Sequence, residues 1–266
     1  MKLIITKHNL GLWAAERVAH TINHSNKKPF VLGLPTGGTV EEMYAALSAL
    51  VKNQKLSFKD AVSFNMDEYV GLSPEHDQSY HYYMNHHLFS HVDMDPKNVH
   101  ILNGQAADLQ AECAAYEKAI EQAGGIDLFL GGVGQNGHLA FNEPGSSFDS
   151  RTRVVDLTEN TIEANSRFFG GDMKAVPTQA LTVGIGTVLA AKELLFLASG
   201  EKKAEAVAQL TKDVICTQWP VTALKTHTNA TLLVDEAAAS QLSGKAKEEL
   251  EKQKNTNPQG DWILHL

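Results

Sequence analysis

Phe30-Val31-Leu32-Gly33-Leu34-Pro35-Thr36-Gly37-Gly38-Thr39 joins an apolar run to a glycine turn, and a segment of helical period follows it. The run has no polar alternation, so it reads as a strand covered on both faces. The same unit recurs on either side. Strands are expected at Leu3–Thr6, Phe30–Leu34, Ala61–Met66, Val99–Leu102, Ile126–Leu130, Ala180–Ile185, Leu194–Ala198 and Thr231–Val234. Helices are expected at Leu10–Asn23, Thr39–Val51, Ser79–His91, Ala106–Gln122, Glu201–Leu210 and Asp235–Lys252. In the fourth helix Leu109, Cys113, Tyr116 and Ile120 recur at three and four residues and form one apolar stripe. Strand–helix alternation predicts an α/β fold with a doubly wound, mostly parallel sheet flanked by helices. With no repeat, linker or low-complexity tract, one domain spanning 1–266 is expected. The segment Asn142–Thr178 breaks the alternation, and loops that long inside a domain tend to be functional, lids among them.

Composition narrows the function. The 266 residues are 43% hydrophobic and 20% charged, which describes an ordinary globular protein. A formal net charge of −8 argues against nucleic acid as a partner, because phosphate backbones are bound by basic surfaces. A few local donors still suffice to hold one small phosphate. Cys113 and Cys216 lie far apart among apolar neighbours and read as small hydrophobes. No signal-peptide core follows Met1, and no apolar run approaches the roughly 18 residues of a membrane span. The expectation is a soluble, cytoplasmic protein acting on a small molecule, with no membrane partner.

Four clusters could carry chemistry. Thr36, Gly37, Gly38 and Thr39 lie between a strand and a helix, where glycines admit an anion and a helix start directs its N–H groups at it. The pattern is not a nucleotide-triphosphate loop, so a sugar monophosphate fits better; a plain tight turn is the bland reading. Asp67 and Glu68 end a buried-looking strand, where open α/β sheets bind ligands. Burial beside Glu68 would raise Asp67 from the ordinary value near 3.9 to that of a useful base, but two solvated acids would look the same in sequence. Gly132, Gly134 and Gly137 match a dinucleotide fingerprint, and Asp156 follows at about the required 20 residues. The fingerprint must open a helix, however, and Asn142-Glu143-Pro144-Gly145 forbids one. What remains is a glycine loop presenting His138, with Glu143 nearby as a carboxylate partner. The last cluster is the cations Arg151, Arg153, Arg167 and Lys203, each unremarkable alone. His81, His86, His87 and His91 crowd one helix, but without a third ligand pattern they read as surface or interface residues and not as a metal site.

The runs Leu32–Thr39, Phe64–Tyr69 and Gly131–Pro144, with Ser79-Tyr80, Ser150–Arg153, Ala164–Phe169 and Ala180–Gly184, together resemble the signature of glucosamine-6-phosphate deaminases. The likeness runs nearly end to end. It implies a Rossmann-like fold, and deamination of glucosamine 6-phosphate to fructose 6-phosphate and ammonia without metal or organic cofactor. It also implies roles. Asp67 would move a proton between C2 and C1, and His138, oriented by Glu143, would open the pyranose ring. Thr36, Gly37, Gly38, Thr39, Arg167 and Lys203 would hold the phosphate under a lid at about 157–178.

Two positions depart from the pattern. Asn136 stands where some relatives carry Asp, so its part in ring opening must be hydrogen bonding. Relatives activated by N-acetylglucosamine 6-phosphate bind it with an Arg and a Lys two residues on; here Arg153 is followed by Val155. This argues against that regulation and weakens any inference of a hexamer, while still allowing a homo-oligomer. Two alternatives remain. A 6-phosphogluconolactonase would share the fold but needs no base at C2, and a sugar-phosphate sensor domain would want a DNA-binding segment.

Overall fold

The computed structural model describes residues 1–266. Its strands are β1 (Lys2–Thr6), β2 (Phe30–Leu34), β3 (Ala61–Asn65), β4 (Asp67–Tyr69), β5 (Val99–His100), β6 (Leu128–Gly132), β7 (Arg153–Asp156), β8 (Gln179–Thr182), β9 (Glu193–Ala198), β10 (Ala230–Asp235) and β11 (Trp262–His265). Its helices are α1 (Leu10–Asn23), α2 (Glu41–Lys52), α3 (Tyr80–His87), α4 (Leu109–Gln122), α5 (Glu159–Ser166), α6 (Ile185–Leu189), α7 (Ala204–Gln209) and α8 (Gly244–Thr256). Eight strands form one sheet in the order β11-β1-β10-β9-β6-β2-β3-β5. Every neighbouring pair is parallel except β1 with β11.

The uninterrupted apolar strands follow from two cores. In β9, Leu194, Phe196 and Ala198 enter one buried cluster, while Leu195 and Leu197 enter another. Successive strand residues point to opposite faces, so a strand covered on both sides must be apolar throughout. Ala14 and Val18 of α1, Met43 and Leu47 of α2 and Met84 of α3 cover one face. Cys113, Tyr116 and Ile120 of α4 cover the other, with residues of α6, α7 and α8. The stripe read from α4 is therefore its core face.

The chain runs outward from β2 through β3 to β5, and from β6 through β9 and β10 in the other direction. The order reverses between β2 and β6, and ligands of such sheets bind beyond the strand ends at that switch. Both glycine loops sit there.

Several elements differ from the sequence reading. The strand expected at Ala180–Ile185 is β8, and it lies outside the main sheet, in a three-stranded antiparallel sheet ordered β4-β8-β7. An apolar run does not say which partner it will take. The helix expected from Thr39 begins at Glu41, after a 3₁₀ turn over Gly38–Val40. The fourth helix starts at Leu109 because Asp108 caps it, accepting from the amides of Gln110 and Ala111. The last helix starts at Gly244: Asp235 instead ties Gly200 and Ala238 to a turn. β11 was not foreseen. The expected lid contains α5 and a 3₁₀ turn at Arg167–Phe169.

Candidate active site

Asp67 opens β4, directly after Met66 has bonded both to Leu34 of β2 and to Val183 beyond β8. These anchors carry the chain from the main sheet into the small one with Asp67 at the junction. Its carboxylate is 5% exposed, and Oδ1 has no hydrogen-bond partner. Burial pushes this carboxyl well above the usual carboxylate range, and the neighbouring Glu68 pushes it further. Tyr44 and Tyr116, both buried, and the half-buried Tyr80 are held well above the ordinary phenol value, and all feel its charge. A buried polar atom without a partner is costly, so such a group calls for an explanation, and a catalytic role supplies one.

His138 ends a loop whose glycines have separate tasks. A Cβ on Gly134 would lie 2.3 Å from the imidazole, so only glycine lets the ring fold back over that backbone. Gly137 has a φ of +78° and packs against Trp219 and Val221. Two residues past His138, Ala140 takes a left-handed φ of +53°, an uncommon conformation for a residue with a side chain. No helix follows, so the dinucleotide fingerprint lacks the element that would complete it.

The expected pairing of His138 with Glu143 is indirect. His138 Nδ1 lies 2.7 Å from Asn136 Oδ1 and 3.8 Å from Glu143 Oε1. Asn136 Nδ2 then donates to Glu143 Oε2 at 2.7 Å, and Thr161 of α5 donates to Oε1 at 2.7 Å. Asn136 thus stands between imidazole and carboxylate as a relay. Because the Asn oxygen can only accept, it assigns the Nδ1 proton to His138 and leaves Nε2 free as a base. Burial lowers the imidazole's pKa; Glu143 opposes this and Lys203 adds to it. The net direction favours the neutral ring.

Lys203 lies at the end of a 3₁₀ turn following β9, and burial, then Arg167, lowers its pKa. Arg167 and Lys203 are thus close enough to repel one another, and Lys203 also bears on His138. The turn Gly38–Val40 packs against β9 and brings the first glycine loop to the same end of the sheet. Gly37, Gly38 and Thr39 are exposed there, Thr36 is half-buried, and Gly37 adopts a φ of +103° that a side chain would disfavour. Tyr83 donates to the Gly37 carbonyl at 3.0 Å and fixes the loop.

Arg151 and Arg153 do not join the site. Arg151 pairs with Glu117 at 2.5 Å, and Arg153 donates to Asn142 Oδ1 at 2.8 Å. No three His, Cys, Asp or Glu side chains come together as a metal centre would need. Sequence reasoning missed Thr161 and Tyr44, which nothing in their surroundings marks, and read Tyr116 only as part of an apolar stripe.

The family described as glucosamine-6-phosphate isomerases/6-phosphogluconolactonase matches residues 6–233. A glucosamine-6-phosphate deaminase of Phocaeicola vulgatus is 53% identical over 236 residues, covering 88% of this chain and 90% of the relative. One of Drosophila melanogaster is 50% identical over 247 residues, covering 91% and 90%. Among solved structures, a monomeric glucosamine-6-phosphate deaminase superposes with a TM-score of 0.86 at 45% identity, covering 90% of this chain and 99% of that one. A 6-phosphogluconolactonase from Trypanosoma cruzi reaches 0.73 at 19% identity, covering 91% and 97%, a likeness of fold alone.

Proposed function

This chain belongs to the family of glucosamine-6-phosphate isomerases and 6-phosphogluconolactonases, and from that premise we propose that it deaminates glucosamine 6-phosphate to fructose 6-phosphate and ammonia. The observation that carries the reading is the buried carboxylate of Asp67, unpartnered and held well above the usual carboxylate range where the chain passes from β3 into the small sheet. A lactonase needs no base for a carbon-bound proton and would leave such a group without a task.

In this reading the phosphate rests on Thr36, Gly37, Gly38 and Thr39, with Arg167 and Lys203 as its cations. That anchorage fixes C1 and C2 and supplies orientation. His138 Nε2 takes the O1 proton and returns a proton to O5, so the ring opens to the aldehyde. Asn136 and Glu143 hold the imidazole in that tautomer throughout. Asp67 then removes the C2 proton, giving an enolamine, and redelivers a proton to C1. The resulting C2 imine adds water and releases ammonia, which makes the C–N cleavage hydrolytic. The stretch 157–178 serves as a lid, since α5 already touches Glu143 through Thr161. As a catabolic step on a charged sugar phosphate, the reaction belongs in the cytoplasm; no helix is long and apolar enough to cross a membrane.

The test is an assay of ammonia and fructose 6-phosphate from glucosamine 6-phosphate, run beside an assay of 6-phosphogluconolactone hydrolysis. Equimolar release of the first two, with no lactone hydrolysis above background, is expected. Lactone hydrolysis without ammonia release would replace this reading with the lactonase.

A further inference from the structure

We infer that Glu68 is a positioning residue for this reaction, one that clamps the strand bearing Asp67 to the start of α3 and sets a fixed charge behind the base. The inference rests on Asp67 being the base at C2.

Neighbouring strand residues face opposite ways, so Asp67 and Glu68 point to different surroundings. Asp67 Oδ1 meets no donor, whereas Glu68, 1% exposed, meets four. Its Oε1 accepts from the amides of Tyr69 at 2.8 Å and Tyr80 at 3.0 Å. Its Oε2 lies 3.0 Å from the His81 amide and 2.7 Å from His81 Nδ1. Ser79 already caps α3 through the Tyr82 amide. Glu68 therefore closes the remaining donors of the first turn from outside the helix, where the helix dipole also favours an anion.

β4 is a short edge strand, tied to the fold by the Met66 anchors before it and by the packing of Tyr69 on Tyr80. It is three residues long, lies at the edge of the small sheet, and pairs with β8 alone. The position of the Asp67 carboxylate is thus set by the backbone, and Glu68, through three backbone amides and His81, is the side chain that hydrogen-bonds that backbone to the first turn of α3, beside the Tyr69–Tyr80 contact. The clamp also acts electrostatically. The other groups facing Asp67 are Tyr44 of α2, Tyr69 of β4, Tyr80 of α3 and Tyr116 of α4, and burial keeps all four as neutral phenols. Beyond Glu68 stands His81, at the wall of a cavity of about 540 Å³ that it shares with His100, Glu112 and Tyr116. Of the carboxylates, Glu68 is the one that raises Asp67.

The test compares kcat, KM and the pH profile of kcat/KM for Glu68→Gln, Glu68→Asp, Asp67→Asn and the unaltered enzyme. Gln keeps the size, removes the charge and turns an NH₂ toward backbone donors. For it, kcat falls about tenfold or more and KM changes less than about threefold, the mark of a base displaced with substrate binding intact. The acid limb also moves to lower pH, because Asp67 loses its proton more readily once the neighbouring charge is gone. Asp keeps the charge but is one methylene short, so kcat falls while the limb stays in place. Should Glu68→Gln not fold, Glu68→Asp decides alone: reduced kcat with unchanged KM supports the clamp, and unchanged kcat overturns it. A Glu68→Gln enzyme that loses activity without moving the limb overturns it too, since that loss would be structural only. Turnover retained by Asp67→Asn would refute the reading of the base, which is a separate failure.

Discussion

Asp67 and His138 put burial to opposite uses. Burial raises the carboxyl, which in the proposed mechanism suits it to accept a proton from carbon, and lowers the imidazole, which favours the neutral ring with one free nitrogen. The sign of the pH dependence follows. Asp67 works only as the anion, and its pKa is raised, so kcat/KM falls with acidity at a pH above the ordinary Asp value of about 3.9. A profile that stays flat down to that value would show that the base is an ordinary exposed acid. For His138→Gln, turnover of glucosamine 6-phosphate drops by about 10²–10⁴, the range of a positioned acid–base group, while an analogue that cannot close its ring is far less affected. Equal losses on both substrates, measured as kcat, would place His138 after ring opening. Both positions could be singled out from the sequence, because each follows an apolar strand in a recognisable setting. The relay could not: Asn136 was noted as a departure from Asp, but only coordinates show it standing between His138 and Glu143.

At the scale of elements, the glycine loop after β6 determines where the imidazole goes. Gly134 gives up its side chain so that the His138 ring can lie against the backbone. In Gly134→Ala the new Cβ would meet that ring, and one of them must move. The expected result is a loss of kcat of about 10²-fold, as for a 1 Å misplacement of a catalytic group, with an unchanged far-ultraviolet circular dichroism spectrum. Near-normal kcat would mean that the ring position is unimportant. The strand–glycine–helix units could be read because their apolar runs and turns are local signals. The small sheet could not, since its pairing joins residues such as Asp67 and Thr182 that no local pattern connects. β11 escaped notice for a related reason. Trp262 and Leu264 are buried while Ile263 and His265 are exposed, an edge-strand alternation too short to stand out.

At the scale of the whole molecule, the two glycine loops and the Lys203 turn gather at one end of the main sheet, and the residues at the positions where some relatives bind an activator have other partners. Arg153 is engaged with Asn142, Val155 packs beside Tyr69, Leu157 and Ala180, and Asp156 accepts from Gln179. An activator phosphate would lack its second cation, a loss of about 1.5–3 kcal/mol for one charge-assisted bond. Substrate curves are therefore expected to be hyperbolic, with little response to N-acetylglucosamine 6-phosphate titrated into a steady-state assay. A sigmoidal curve made hyperbolic by sub-millimolar effector would show that other residues form such a site. Whatever the regulation, the proposed chemistry turns on a single proton. Its removal is best followed with glucosamine 6-phosphate deuterated at C2, by recording the C2 signal by nuclear magnetic resonance with the unaltered enzyme and with Asp67→Asn. The unaltered enzyme should clear deuterium from C2 as fructose 6-phosphate forms, while folded Asp67→Asn, still binding the sugar phosphate, should leave the label in place. Loss of the C2 deuterium at more than a few per cent of the normal rate in Asp67→Asn would contradict the account.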